Sequence, residues 1–339
     1  GFSNSHIAGD KSEDLIGDDE DTYDYWVIRL DSIGNVIWQN TIGGTWDDNL
    51  LDIKSSSDGG FILAGYSNSP ISGDKTELGC DLYDYWVVKI DSLGNIVWQN
   101  AIGGEGNDFL NKLIAMPNGN FMLAGYSKSD TSCDKLDMNK GDYDFWPVLI
   151  DSLGNIIWQQ TIGGAEDDYL YAIAQTDNGW PILAGDSESG ISGDKTEPNY
   201  GISTITDLWV VKYNNEGDIQ WQNTIMGPDA ELGGNIVQLT DGGYAVGSTS
   251  YSSIGCDKIE DNVGASDYWI IKLDTVGNIV WQNTIGGNQP DELKAMVPTS
   301  DGGLFLSGSS WSPISGDKTE TVIGGLGSPD YWVIKLNAL

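Results

Sequence analysis

The sequence predicts an all-β fold of the β-propeller class, with four-stranded antiparallel blades, and two spacings carry that reading. The tripeptide Asp-x-Trp occurs six times, at Asp24, Asp84, Asp144, Asp207, Asp267 and Asp330, at intervals of 60 or 63 residues. Trp-Gln-Asn or Trp-Gln-Gln trails each of the first five by fourteen residues, at Trp38, Trp98, Trp158, Trp221 and Trp281. A fixed period of this size sets a repeat architecture before any local pattern is considered. No segment sustains a helical apolar period with caps, whereas every copy offers short apolar runs between Gly- and Asp-rich turns.

The copy from Gly65 to Ala124 shows the elements in order. Strand A is Phe61–Tyr66, after the turn signal Asp58-Gly59-Gly60. A long polar loop containing Ser72–Glu77 follows, and then strand B, Tyr85–Ile90. Two-residue alternation puts Trp86, Val88 and Ile90 on one face of B and Tyr85, Val87 and Lys89 on the other. Asp91 opens a tight turn in which Gly94 supplies a positive φ, leading into strand C, Asn95–Ile102. Strand D, Leu110–Met116, lies between Gly103-Gly104 with its acidic stretch and the turn Pro117-Asn118-Gly119. Strands A to D are expected to form one meander per copy. The copies read approximately as 1–64, 65–124, 125–184, 185–246, 247–307 and a partial 308–339, together one propeller domain over 1–339.

Both faces of strand B are partly apolar, so each sheet should be covered on both sides. Sheets packed side by side around an axis satisfy this and leave only short edges. Each buried Trp removes on the order of 200 Å² from water, about 5 kcal/mol gross. Six blades with the last incomplete is the expectation. Five blades, or a larger ring completed by further sequence, are the alternatives, and a solenoid is the competing architecture. Gly1–Ser5 matches the tail of a strand A and Leu336–Leu339 matches the start of a B–C turn, so the sequence reads as part of a longer polypeptide.

The 16 Lys and Arg against 51 Asp and Glu give a formal charge of −35, which repels phosphate backbones and makes nucleic acid a poor partner. No apolar run approaches the roughly 20 residues of a membrane helix, so membrane insertion is not expected. The 14 Trp and 15 Tyr argue against the disorder that acidity alone would suggest. Of the three cysteines, Cys133 and Cys256 replace the Gly of a repeated Gly-Asp-Lys, and Cys80 lies in the loop after that motif one copy earlier. A Cys80–Cys133 bridge between neighbouring copies and a set of unpaired buried thiols are both open readings.

The segment Asp84–Asn100, with Asp58–Ser67, resembles the repeat propellers of large secreted and surface proteins of gliding bacteria, many exported by the type IX secretion system. The resemblance covers nearly all of the chain and implies a propeller at an extracellular or cell-surface location. It implies no particular activity, and the C-terminal sorting domain of such exported proteins is absent from these residues. The B–C hairpin also resembles the repeat of quinoprotein dehydrogenases. That activity is not expected, because the adjacent cysteines that family uses do not occur.

The chemistry-bearing residues point away from catalysis. His6 is the only histidine and sits in a variable Ser-rich loop, so a nucleophilic triad or zinc site has little to build on. Gly-Asp-Lys and its variants place Asp10 and Lys11, Asp74 and Lys75, Asp134 and Lys135, Asp194 and Lys195, Asp257 and Lys258, and Asp317 and Lys318 at one repeat position. A repeated ion pair pinning the A–B loop is the expected role, with an anion or sugar site as the alternative. Asp18, Asp19, Asp21 and Asp24 cluster in the first copy as calcium candidates, and calcium is the one cofactor considered. The acids of the C–D loops, among them Asp48, Asp108, Asp168, Glu231 and Asp291, read as solvated. The A–B and C–D loops are longest and most variable, and functional groups concentrate on such loops. Trp46 and Trp311 fall there, outside the repeated positions, and are the candidate ligand contacts. The expected function is a non-enzymatic binding module for a glycan or protein at the cell surface. The alternative is a structural spacer that contacts other parts of the same larger protein, and a carbohydrate-active or quinoprotein-like enzyme is a distant third.

Overall fold

Each copy forms strands because its apolar runs are short, rich in β-branched and aromatic residues, and closed by turns with Gly at positive φ. The computed structural model describes residues 1–17, 21–177, 179–200, 205–323 and 327–338. Among them the strands form six antiparallel sheets, and no helix is present. The chain divides into two compact units, Gly1–Ile162 and Gly163–Leu339.

In the first unit, β1 (Phe2–Ser3), β2 (Asp24–Leu30) and β3 (Val36–Ile42) make a three-stranded sheet. The second sheet contains β4 (Asp48–Ser55), β5 (Phe61–Ser67), β6 (Asp84–Ile90) and β7 (Ile96–Ile102). The third contains β8 (Asp108–Ala115), β9 (Phe121–Ser127), β10 (Asp144–Phe145), β11 (Val148–Ile150) and β12 (Ile156–Gln159). Here β10 and β11 are one strand interrupted at Trp146-Pro147, because Pro147 has no N–H for the ladder.

In the second unit, β13 (Asp168–Gln175), β14 (Pro181–Ser187), β15 (Asp207–Tyr213) and β16 (Ile219–Ile225) form one sheet. β17 (Glu231–Gln238), β18 (Tyr244–Ser250), β19 (Asp267–Leu273) and β20 (Ile279–Ile285) form the next. β21 (Asp291–Pro298), β22 (Leu304–Ser310) and β23 (Asp330–Leu336) form a last, three-stranded sheet.

The sheets are cut differently from the expected A-to-D meander. The D-type strand pairs with the A-type strand that follows it, as β4 does with β5 through Asp48↔Ser67 to Ser55↔Phe61. Turn geometry decides this. Ser56 N donates to Gly60 O at 2.9 Å and closes a tight hairpin between β4 and β5. After β7, Gly103-Gly104 and the acidic stretch instead carry the chain into the next sheet. The B–C hairpin forms as expected: Asp91 Oδ1 accepts from Leu93 N (2.8 Å) and Asn95 N (2.9 Å).

The recurring residues stitch neighbouring sheets within each unit. Tyr25 Oη donates to Trp86 O and Tyr85 Oη to Trp146 O, both at 2.9 Å, with the Tyr and Trp rings 4.8 and 4.9 Å apart. Asn40, Asn100 and Asn223 donate to the turn carbonyls of Gly94 (2.6 Å), Gly154 (2.8 Å) and Gly277 (2.7 Å) in the following sheet. A Cβ on Gly154 would meet Trp98 at 3.0 Å, so the third-strand Trp lies flat on that turn. Core clusters such as Ala64, Tyr85, Leu110, Leu123, Trp146 and Val148 fill the space between adjacent sheets.

Candidate functional site

Each complete second strand ends on a serine whose cross-strand neighbours are acids. The rows are Asp48–Ser67–Asp84 and Asp108–Ser127–Asp144 in the first unit. In the second unit they are Asp168–Ser187–Asp207, Glu231–Ser250–Asp267 and Asp291–Ser310–Asp330. The first-strand acids Asp48, Asp108, Asp168, Glu231 and Asp291 are fully buried, which corrects their reading as solvated loop residues. They begin a strand, and the register turns them inward against the serine.

The lysine of Gly-Asp-Lys reaches over each row. A tight turn with a bridge from Ser72 to Lys75 returns the chain, and Asp74 N donates to Gly43 O at 2.8 Å, which ties the loop to the preceding sheet. The turn needs a left-handed residue, Gly73 at φ 53°, and Cys133 and Cys256 adopt the same conformation at φ 48° and 54°. Lys75 Nζ donates to Ser67 Oγ at 2.7 Å and lies 5.8 Å over the Trp86 ring. Lys135, Lys195 and Lys258 donate to Thr161, Thr224 and Thr284 at 2.8, 2.8 and 2.6 Å, and each lies over its own sheet's Trp. Lys318 bonds Ser310 at 2.7 Å and Lys11 bonds Ser5 O at 2.5 Å. All six lysines are buried.

The expected direct ion pair is therefore corrected. Hydroxyls, amide oxygens and the indole face occupy the ammonium's near surroundings, and the acids act on it from further off. Burial lowers the pKa of Lys75, and the charges of Asp48 and Asp84 oppose that fall. Direct pairs occur instead at the basic residue of strand B, which holds the first turn: Lys89 to Asp58 at 2.8 Å and Lys272 to Asp241 at 2.6 Å.

Between sheets the rows meet acid to acid. Asp84 Oδ2 accepts from Cys80 N at 2.6 Å, while Oδ1 presses on Gly103, where a Cβ would lie 1.7 Å away. Asp108 Oδ2 would lie 2.8 Å from that same Cβ, and accepts from Gly104 N (2.7 Å) and Ser129 Oγ (2.9 Å). Asp24 and Asp48 meet in the same way at Gly43, at 1.9 and 2.9 Å from its Cβ position. Burial, above all, pushes Asp84 and Glu231 up to about 7 and Asp24, Asp48, Asp108 and Asp207 up to about 6. Burial pulls Lys135, Lys195 and Lys258 down to about 8. These groups are buried.

The remaining candidates are scattered. Trp46, in the first unit, is 54% exposed, and its N donates to Ser69 Oγ at 2.9 Å. Trp311, in the second, is partly buried, and its N donates to Pro290 O at 3.0 Å. Asp18 and Asp19 lie outside the described residues. Asp21 is exposed, whereas Asp24 is buried and accepts from Ile16 N at 2.7 Å, so it does not share a surface cluster with Asp21. Among the described residues no group of three or more His, Cys, Asp or Glu is placed to hold a metal. Cys80 and Cys133 form a disulfide with Cα atoms 6.3 Å apart, and Cys256 is free and exposed. His6 is exposed and pairs with Asp14 at 2.6 Å.

One surface feature escaped sequence reasoning. Ile7 and Ile71 in the first unit, and Ile191, Ile254 and Ile314 in the second, are exposed beside the Gly-Asp-Lys turn. Their signal was an apolar residue three positions before the Asp of that motif in five of six copies.

No protein-family model matches the sequence. The chain is 24% identical over 343 aligned positions to the regulatory protein FlaEY of Caulobacter vibrioides, an alignment that covers 93% of this chain and 35% of that protein. The chain thus spans about a third of that relative's length. Among solved structures it is similar to Kuenenia stuttgartiensis hydrazine synthase, with a TM-score of 0.50 and 11% identity over 86% of this chain and 71% of that one. A protein of unknown function from Dyadobacter fermentans matches with a TM-score of 0.49 and 12% identity over 88% of this chain and 81% of that one. The likeness to the hydrazine synthase shows a propeller-type fold and carries nothing about activity.

Proposed function

We propose that residues 1–339 form a non-enzymatic β-propeller module, each sheet a blade, whose A–B and C–D loops recognise a glycan or a protein at the cell surface. One observation carries the reading. The lysines and the first-strand acids of the rows are buried, whereas Trp46, a residue of one copy alone, is 54% exposed in a C–D loop. The extracellular setting is supported by the likeness to the repeat propellers of gliding-bacterial surface proteins, and the Cys80–Cys133 bridge suits an oxidising compartment. Glycan-array and surface-protein binding by the intact protein, compared with Trp46→Ala and Trp311→Ala, tests the reading. Binding that Trp46→Ala abolishes without lowering the melting temperature is the expected result. A well-folded protein that binds nothing would overturn it and leave the structural-spacer reading.

A further inference from the structure

Positions beside the rows differ from copy to copy. The residue before the row serine is Tyr66 or Tyr126 in the second and third sheets, and Asp186, Thr249 or Ser309 in the later ones. The residue before the strand-B acid is Tyr83 or Tyr143 in the same two sheets, and Thr206 or Ser266 in the two that follow. The residue after the first-strand acid is, in turn, Asn49, Phe109, Tyr169, Leu232 and Glu292. The same cross-strand pairing holds throughout, with Phe109 opposite Tyr126 as Leu232 is opposite Thr249 and Glu292 opposite Ser309. The strands therefore do not require rings at these places.

In the first unit the rings meet. Tyr66 lies 5.5 Å from Tyr83 and 4.9 Å from Phe109, centroid to centroid. Phe109 reaches Tyr83, Tyr126 and Tyr143 at 5.4, 5.5 and 6.3 Å. Tyr126 and Tyr143 close the group edge-on at 5.4 Å. All five rings are partly exposed, at the strand ends that carry the A–B and C–D loops. Polar groups border them. Tyr83 Oη donates to Asp47 Oδ2 at 2.9 Å, next to the exposed Trp46, and Asp47 N donates to Asn68 Oδ1 at 2.9 Å. At the other end Lys128 lies 5.4 Å over the Tyr143 ring and pairs with Asp142 at 2.8 Å. Edge-to-face contacts and these bonds fix the rings before a ligand arrives.

We propose that Tyr66, Tyr83, Phe109, Tyr126 and Tyr143 form a stacking platform for a neutral glycan. The proposal rests on the reading of the A–B and C–D loops as a recognition face and names the ligand class and its place. Rigid Tyr rings offer contact area at a low entropy cost, and the C–H face of a sugar ring is flat enough to lie on them. The carboxylates and amides at the border, Asp47 and Asn68 among them, suit the hydroxyls at a sugar's rim. Rings already in mutual contact let a ligand lie across them, as a sugar does, rather than insert between them, as the anchor side chain of a protein partner does. The formal charge of −35 turns away an anionic polysaccharide.

The test is calorimetric titration of the intact protein with neutral oligosaccharides of glucose, mannose, xylose and N-acetylglucosamine, with an oligogalacturonate as the anionic control. Saturable binding of at least one neutral sugar, and none of the anionic one, is expected. The variants borrow residues that the chain itself uses at the same positions: Tyr66→Ser with Tyr83→Thr in one protein, Tyr126→Ser with Tyr143→Ser in another. Each pair should weaken binding at least about tenfold through the loss of two stacking rings. Melting temperatures report folding, and Phe109→Leu, the smallest of these changes, decides the matter if a double variant unfolds. Neutral-glycan binding that all three variants leave unchanged, or equal binding of the anionic control, would overturn the platform and keep the loop-face reading. Binding of a surface protein with no glycan bound would do the same. A folded protein that binds neither overturns both.

Discussion

Asp84 and Asp108, from adjacent sheets, press on Gly103 from two sides, their carboxyl oxygens 1.7 and 2.8 Å from the position a Cβ would take there. Each joint of this kind sets two buried carboxyls against the one lysine that each row contributes, so the network is short of one positive charge per copy. Burial, and to a lesser degree the facing Asp108 carboxylate, raises Asp84 to about 7, so Asp84 holds its proton to higher pH than a free carboxyl does. Such a network gives a structural reason for acids and lysines to recur at these positions.

Stability should fall as pH rises from about 4 to about 8. Asp24, Asp48, Asp84, Asp108, Asp207 and Glu231 have folded-state values raised to about 6 or 7, so the fold retains protons that the unfolded chain releases near its ordinary values. Their contribution is complete below the unfolded values and is lost as pH climbs through the folded ones. Calorimetry at pH 5 and pH 8 at constant ionic strength should give the lower melting temperature at pH 8. Asp84→Asn, which needs no proton, should narrow the gap; equal temperatures in the native protein would contradict the account.

Lys75→Met should destabilise the protein by about 3 kcal/mol, because it strips the cation from a row of buried acids while keeping the apolar stem over Trp86. Urea unfolding gives the number. A loss under about 1 kcal/mol would mean that the row acids do not depend on the lysine.

The disulfide closes 53 residues, for which the loss of chain entropy in the unfolded state amounts to about 4 kcal/mol. Reduction should lower the unfolding midpoint by up to that amount. Cys256 occupies the turn position of Cys133, and Tyr200 N donates to Asp207 Oδ2 (2.8 Å) as Cys80 N does to Asp84 Oδ2 (2.6 Å). Tyr200→Cys should therefore form a second bridge to Cys256. Thiol titration should find no free cysteine in that variant, and two free thiols would refute the equivalence.

Strands A, B and C were legible in the sequence because alternation and turn residues are local signals. The pairing of β4 with β5 was not, since two glycine-rich turns flank each D-type strand and only their hydrogen bonds distinguish hairpin from crossing. Asp48 reads as a loop acid in Gly-Gly-Thr-Trp-Asp-Asp, and only its register opposite Ser67 buries it. The partners of Lys135 include Thr161, 26 residues away, which no spacing rule on the motif itself reveals. Trp46 was legible as a departure from the period, and its exposure was not, because the packing of the loop tip is set by tertiary structure.

The most direct measurement is a carbon-13 NMR titration of the Asp84 side-chain carboxyl in the native protein and in Lys75→Met. A midpoint near 7 in the first, moving higher in the second as the nearby positive charge is lost, is the predicted result. Titration near the ordinary 3.8 in both would show Asp84 to be solvated and unlinked to Lys75, and the buried rows would not be what holds the repeat together.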